Sequence, residues 1–162
     1  MSDATPPTPA VTIRDAAADD VAPLAARLHG LPLLARYGVT EESLARDLGL
    51  ALERGDGLLC AAGPDGPVGF AWFLTAGTFA SGGYLRLIAV APGQQGGALG
   101  SRLLDEVERR VAVRSRTMFL LVSDFNTGAQ RFYARRGYRD AGALEAFVRP
   151  DVDERIYWKR LR

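Results

Sequence analysis

Val90-Ala91-Pro92-Gly93-Gln94-Gln95-Gly96-Gly97-Ala98-Leu99-Gly100-Ser101 is the stretch from which the fold is read. An apolar run, Tyr84 to Val90, leads into it, and an amphipathic run, Leu99 to Val111, leads out. The pattern predicts a buried strand, a glycine-rich turn and the start of a helix. Backbone N–H groups at such a helix start lack intrahelical partners, and the helix dipole adds partial positive charge there. Together these features can hold a phosphate or pyrophosphate.

Upstream, Val11 to Arg14 alternates like a first strand. Asp19 and Asp20 suit the start of a helix whose apolar face is Val21, Leu24, Ala25 and Leu28, and which Gly30 and Pro32 end. An apolar connector, Leu31 to Gly38, has no clear form. Thr40 can cap a second helix, with Leu44, Leu48 and Leu52 on its buried face and Gly55 or Gly57 at its end. Two strands follow, Gly57 to Ala62 and Val68 to Thr75, joined by the Gly63-Pro64-Asp65-Gly66 turn. A loop from Ala76 to Gly83 precedes the strand of the opening stretch.

Downstream, Leu99, Leu103, Leu104, Val107 and Val111 share a helical face, and Met118 to Val122 is a short, wholly apolar strand. Asn126 to Arg136 reads as a helix with Ala129, Phe132 and Tyr133 on one face, ended by Gly137. Two strands close the chain, roughly Tyr138 to Val148 and Glu154 to Leu161. The order is β-α-α-β-β-β-α-β-α-β-β, an α/β fold around one mixed sheet.

Composition excludes several classes of function. The chain has 162 residues, enough for one domain with a sizeable core. Twenty basic residues against nineteen acidic ones leave no charge excess to attract nucleic acid or membrane. A single histidine and a single cysteine cannot build an ordinary zinc cluster or an intrachain disulfide. Cys60 sits in Leu58-Leu59-Cys60-Ala61-Ala62 and reads as core packing; His29, at a helix end, reads as a capping or surface residue. No apolar segment is long enough to span a membrane. Met1 to Ala10, with Pro6, Pro7 and Pro9, reads as a disordered leader without signal-peptide features, so residues 11–162 form the domain and the expected setting is the cytoplasm.

Two motifs carry a family resemblance. The first is Val90-x-Pro92-x-x-Gln95-Gly96-Gly97-Ala98-Leu99-Gly100-Ser101, followed by Leu103-Leu104. It is similar to the acetyl-CoA loop of the GCN5-related N-acetyltransferase (GNAT) family, commonly written Arg/Gln-x-x-Gly-x-Gly/Ala. The second, Asn126-x-x-Ala129-x-x-Phe132-Tyr133-x-x-x-Gly137-Tyr138, resembles that family's Asn-x-x-Ala-x-x-(Phe/Leu)-Tyr-x-x-x-Gly-Phe element. The resemblance extends from about Val11 to Leu161. It implies a single-domain fold of about seven strands, mostly antiparallel, with four helices and a splay between the fourth and fifth strands.

The resemblance also implies a function: transfer of acetyl from acetyl-CoA, as co-substrate and without a metal, to an amine. Gln95, Gly96, Gly97, Ala98, Leu99, Gly100 and Ser101 would hold the CoA pyrophosphate. Ile88, Ala89 and Val90 would pair with the pantetheine arm, and Asn126, Ala129, Phe132 and Tyr133 would complete the cofactor site. Ala98 departs from the pattern, which has glycine there, and its methyl group implies weaker pyrophosphate binding.

Tyr133 matches the tyrosine that protonates the departing thiolate in this family. A phenol with pKa near ~10 is neutral at pH 7 and can donate. A purely structural tyrosine packed beside Phe132 would show the same spacing. Asn126 suits a helix cap, a cofactor contact, or both.

The general base is not legible. The strand Tyr84 to Val90 carries no carboxylate where many family members have one. Asp124 is the nearest alternative by topology, though a turn aspartate would look the same; Glu41, Glu42 and Glu145 are weaker candidates. Arg86 is either an outward charge or a partner for an anionic acceptor.

Under the resemblance, the acceptor site comes from Leu28 to Tyr37 and Ala143 to Tyr157. Leu31, Leu33, Leu34 and Tyr37 would form an apolar wall, and Glu145, Phe147, Arg149, Asp151 and Asp153 would lie opposite. This composition suits a small or peptidic amine. Pairing of two copies through the C-terminal strands is a further expectation. A competing expectation is an acetyl-CoA-binding sensor with little catalysis.

Overall fold

The computed structural model describes residues 10–95 and 98–162. The expected leader, apart from Ala10, and the loop residues Gly96 and Gly97 lie outside the described residues. The elements run β1 (Thr12–Asp15), α1 (Ala18–Leu28), α2 (Pro32–Arg36), α3 (Glu41–Arg54), β2 (Gly57–Gly63), β3 (Gly66–Thr78), β4 (Gly82–Val90), a 3-10 turn at Pro92–Gln94, α4 (Leu99–Val111), β5 (Thr117–Ser123), α5 (Thr127–Arg135), β6 (Arg139–Arg149) and β7 (Val152–Arg160). Seven strands form one sheet in the order β1-β2-β3-β4-β5-β7-β6. Every neighbouring pair is antiparallel except β4 and β5. This is the expected mixed sheet.

Two expectations need correction. The connector Leu31 to Gly38 contains a fifth α-helix, α2, started by Pro32, whose fixed φ suits a first helical position. The loop expected from Ala76 to Gly83 is shorter, because β3 runs on to Thr78 and β4 begins at Gly82. The turn between them is made by Phe79 and Ala80, both at positive φ.

Helix starts and stops follow the sequence. Thr40 Oγ1 accepts from the Ser43 N–H at 3.1 Å, and Gly55 ends α3 in the left-handed conformation. Leu44, Leu48 and Ala51 face the core from α3, and Leu99, Leu103, Leu104, Val107 and Val111 do so from α4. Cys60 is fully buried, and burial pushes its thiol up to about 11, as suits a packing residue. His29 caps the end of α1, its Nδ1 lying 2.9 Å from the Ala25 carbonyl oxygen.

The feature that makes a site is the divergence of β4 from β5. They pair only at Gly83↔Met118, Tyr84↔Phe119 and Leu85↔Leu120. On the other side of β4, Trp72 opposes Leu87 and Phe73 opposes Leu85, so Arg86 is an extra, unopposed residue. A bulge bends its strand. It falls immediately after the last β4–β5 rung, and β5 meanwhile continues along β7 to Ser123↔Glu154. Residues 86–90 of β4 therefore have no strand on the β5 side among the described residues.

Candidate active site

The divergence leaves a narrow cavity of about 100 Å³, lined by Arg86, Leu87 and Ile88 from β4, Leu121 to Ser123 from β5, and Asn126, Ala129 and Tyr133. The last three are spaced three and four apart, which puts them on one side of the α5 turn. Asn126 caps that helix, and Gln130 ties it to the end of β5. Asn126 Oδ1 accepts from the Ala129 N–H at 3.1 Å, and Gln130 Nε2 donates to the carbonyl oxygens of Ser123 and Asp124 at 3.2 and 3.0 Å. Asn126 is thus the cap of α5 and also part of the cavity wall.

Tyr133 is clamped between two aromatic edges. Phe132 and Tyr138 lie at centroid distances of 5.1 and 5.5 Å, both T-shaped. Its hydroxyl makes no hydrogen bond to another described residue. Burial pushes the phenol above its ordinary value, so it stays protonated at neutral pH and keeps its proton to donate.

The second sequence motif lines this cavity through Asn126, Ala129 and Tyr133, and the first lies beside it, where α4 starts against α5. A Cβ placed on Gly100, in the first turn of α4, would lie 4.0 Å from Phe132 Cζ on α5. Ala98 stands exposed at the N-cap of α4 with φ −81°, an ordinary conformation for alanine. It offers no capping oxygen, so among the described residues no side chain caps the first-turn N–H groups of α4. Gln95 turns back on the strand end, its Nε2 donating to the Val90 carbonyl at 3.1 Å.

A second cavity, of about 290 Å³, adjoins the first through Leu33, Arg86, Leu87, Leu121 and Ser123. Leu34, Val39, Leu44 and Trp72 make its wall largely apolar. Trp72 is fixed by its indole N–H, which donates to Asp56 Oδ2 at 2.9 Å, and the Arg86 guanidinium lies over its ring at 4.5 Å. At the floor are Tyr37, Ser123 and Glu154. The Tyr37 hydroxyl donates to Glu154 Oε1 and lies 2.6 Å from Ser123 Oγ, which is itself 3.4 Å from Glu154 Oε2. Burial, then the bond to Glu154, pushes the Tyr37 phenol up to about 12. Docking of α2 places Tyr37 here: Arg36 sits over the Phe125 ring at 3.7 Å, and the Tyr37 ring is 6.4 Å from the same ring.

The carboxylates named from sequence lie elsewhere. Asp124 is exposed in the turn after β5; its Oδ2 accepts from the Asp153 N–H at 3.3 Å, and it lines neither cavity. Glu41, Glu42 and Glu145 are exposed and line neither cavity. Of the expected acceptor residues, Leu33, Leu34 and Tyr37 line the larger cavity; Leu31 is in the core and Phe147 is exposed. Trp72 carries no mark in the sequence, and Glu154 lies within the expected stretch Ala143 to Tyr157 without being singled out there. Glu154 did leave a signal, since it falls in phase with Val152 and Ile156 on an alternating strand.

The comparisons agree with this fold. The family model described as the acetyltransferase (GNAT) family matches residues 26–138. No curated protein matches the sequence. A GNAT-family protein from Desulfovibrio desulfuricans is 28% identical with a TM-score of 0.75, the match covering 94% of this chain and 100% of that one. An aminoglycoside 6'-N-acetyltransferase solved with coenzyme A has the same fold at 18% identity and TM-score 0.73, over 93% of this chain and 97% of its own. So does a Salmonella typhimurium protein solved with acetyl-CoA, at 16% identity and TM-score 0.71, over 94% and 95%.

Proposed function

The chain belongs to the GNAT acetyltransferase family, and from that premise we propose that it transfers acetyl from acetyl-CoA to a primary amine by direct attack in a ternary complex. The observation that carries the proposal is the opening between β4 and β5, with Tyr133 lining it. The edge of Ile88, Ala89 and Val90, where the Gln95 side chain would have to give up the Val90 carbonyl, suits an extended amide arm, as an added strand would pair. The N–H groups of Leu99, Gly100 and Ser101 suit the pyrophosphate.

Acetyl-CoA bound there supplies the activated acyl carbon. Backbone N–H groups position and polarise it, and Tyr133 holds the proton for the departing sulfur. The adjoining cavity, with its apolar wall, receives the amine.

Thiol release from acetyl-CoA over a panel of amines, amino acids and peptides tests this reading. Turnover with at least one primary amine is the expected result. A second reading, an acetyl-CoA-binding sensor, draws on the absence of a carboxylate from β4. A melting temperature raised by acetyl-CoA, without thiol release on any amine, would favour the sensor.

A further inference from the structure

We propose that Glu154 is the carboxylate that binds the ammonium group of an apolar primary amine and takes its proton before attack. This rests on the acetyl-transfer reading above and names the base and the acceptor class for the same site.

The argument begins with burial. Glu154 is 5% exposed, yet it lines the 290 Å³ cavity. Taking a carboxylate out of water is costly unless a cation accompanies it. Among the described residues no lysine, arginine or histidine forms an ion pair with Glu154. Its partners are two neutral hydroxyls, Tyr37 and Ser123. The tyrosine donates to Glu154 Oε1, and the serine can donate to the tyrosine oxygen. These bonds fix the carboxylate without neutralising it. The missing positive charge is the acceptor's ammonium.

The other charged or titratable groups of this cavity are Asp47 from α3 and Tyr84 and Arg86 from β4. Asp124 lies outside the cavity, one residue beyond Ser123. Of these only Arg86 is cationic, and its guanidinium lies over Trp72. The wall of Leu33, Leu34, Val39 and Trp72 calls for an apolar body behind the amine.

The proton balance closes. R–NH3⁺ gives one proton to Glu154. The nitrogen lone pair then forms the C–N bond to the acetyl carbon, and the C–S bond breaks. The sulfur takes a proton from Tyr133, which regains one from the nitrogen as the amide forms. Glu154 passes its proton to solvent, so the sum is amide, thiol and one released proton.

The test has two arms with Glu154→Gln, which keeps the Tyr37 bond and loses the charge. In the first, β-phenylethylammonium binding to the protein without acetyl-CoA is measured by calorimetry. Binding to the wild type that weakens at least tenfold in the variant is expected. No wild-type binding, or equal binding, overturns the proposal. In the second, kcat/KM for β-phenylethylamine is followed from pH 6 to 10. General-base assistance is typically ~100-fold or more, so the variant should fall about 100-fold at pH 7. It should recover toward pH 10, where the amine is deprotonated in solution. A loss of the same size at every pH marks a structural role and overturns the proposal. If the wild type neither binds acetyl-CoA nor releases thiol, the transfer reading fails, and the calorimetric arm alone still decides whether Glu154 holds an ammonium.

Discussion

Gly83 and Val111 make an approach that only glycine permits. A Cβ on Gly83 would lie 2.4 Å from Val111 Cγ1 and 3.0 Å from the Leu74 carbonyl oxygen. Gly83 is also the first of the three β4–β5 rungs, pairing with Met118. The contact therefore seats α4 against the sheet where β4 and β5 are still joined. Val111 is fully buried and cannot swing away. Gly83→Ala is expected to destabilise the fold by about 1–3 kcal/mol, as overpacking of cores does. Urea unfolding checks it, and a loss under 0.5 kcal/mol would mean the sheet yields freely there.

Asn126 connects stability to the site. Its side chain satisfies the Ala129 N–H at the start of α5, the helix that carries Tyr133. Asn126→Ala removes the cap and should cost about 1 kcal/mol, whereas Asn126→Asp keeps an accepting oxygen and should cost much less. Chemical denaturation of both variants is the check. Equal losses would show that the amide, not the accepting oxygen, is what the helix needs.

What the sequence revealed was local. The Leu44–Leu48 face, the Gly55 stop and the Asn126–Gly137 element all announce themselves within a few residues, because helix periods and caps are short-range. The Arg86 bulge did not, since it is defined by what β3 places opposite it. Phe79 and Ala80 occupy the left-handed region at φ 47° and 62°, which neither residue type signals. The Phe79 ring instead packs edge-on against Phe119 at 5.1 Å. Glu154 gained its meaning from Tyr37, 117 positions earlier, which no period connects to it.

Acid should weaken the fold through Glu106. Its carboxylate accepts from Arg109 Nε at 2.9 Å and from Arg110 Nε at 2.7 Å, and these bonds hold it down at about 2 from an ordinary 4.5. A carboxylate lowered by folding stabilises the native state fully above its unfolded value and loses that contribution as pH falls toward the folded one. Wild type and Glu106→Gln should therefore differ most at neutral pH and converge between about pH 4.5 and pH 2. Melting temperatures over that range measure it. A constant gap would assign the effect to packing.

Tyr133 is the residue on which chemistry and structure separate most cleanly. Its ring is held by Phe132 and Tyr138 through aromatic edges, and Tyr133→Phe keeps both contacts. Its hydroxyl bonds to no other described residue, so the substitution strands no partner there. Stability and acetyl-CoA affinity should then change little. If the hydroxyl delivers the proton to the leaving sulfur, turnover should fall about 100-fold, in the ordinary range for a lost general acid. Because burial keeps the phenol protonated well above neutrality, the wild-type rate should show no loss from tyrosine ionisation up to pH 9. Single-turnover kinetics with saturating acetyl-CoA isolates the chemical step from product release. An unchanged single-turnover rate in the phenylalanine variant would leave Tyr133 as a packing residue and move the proton donor to solvent.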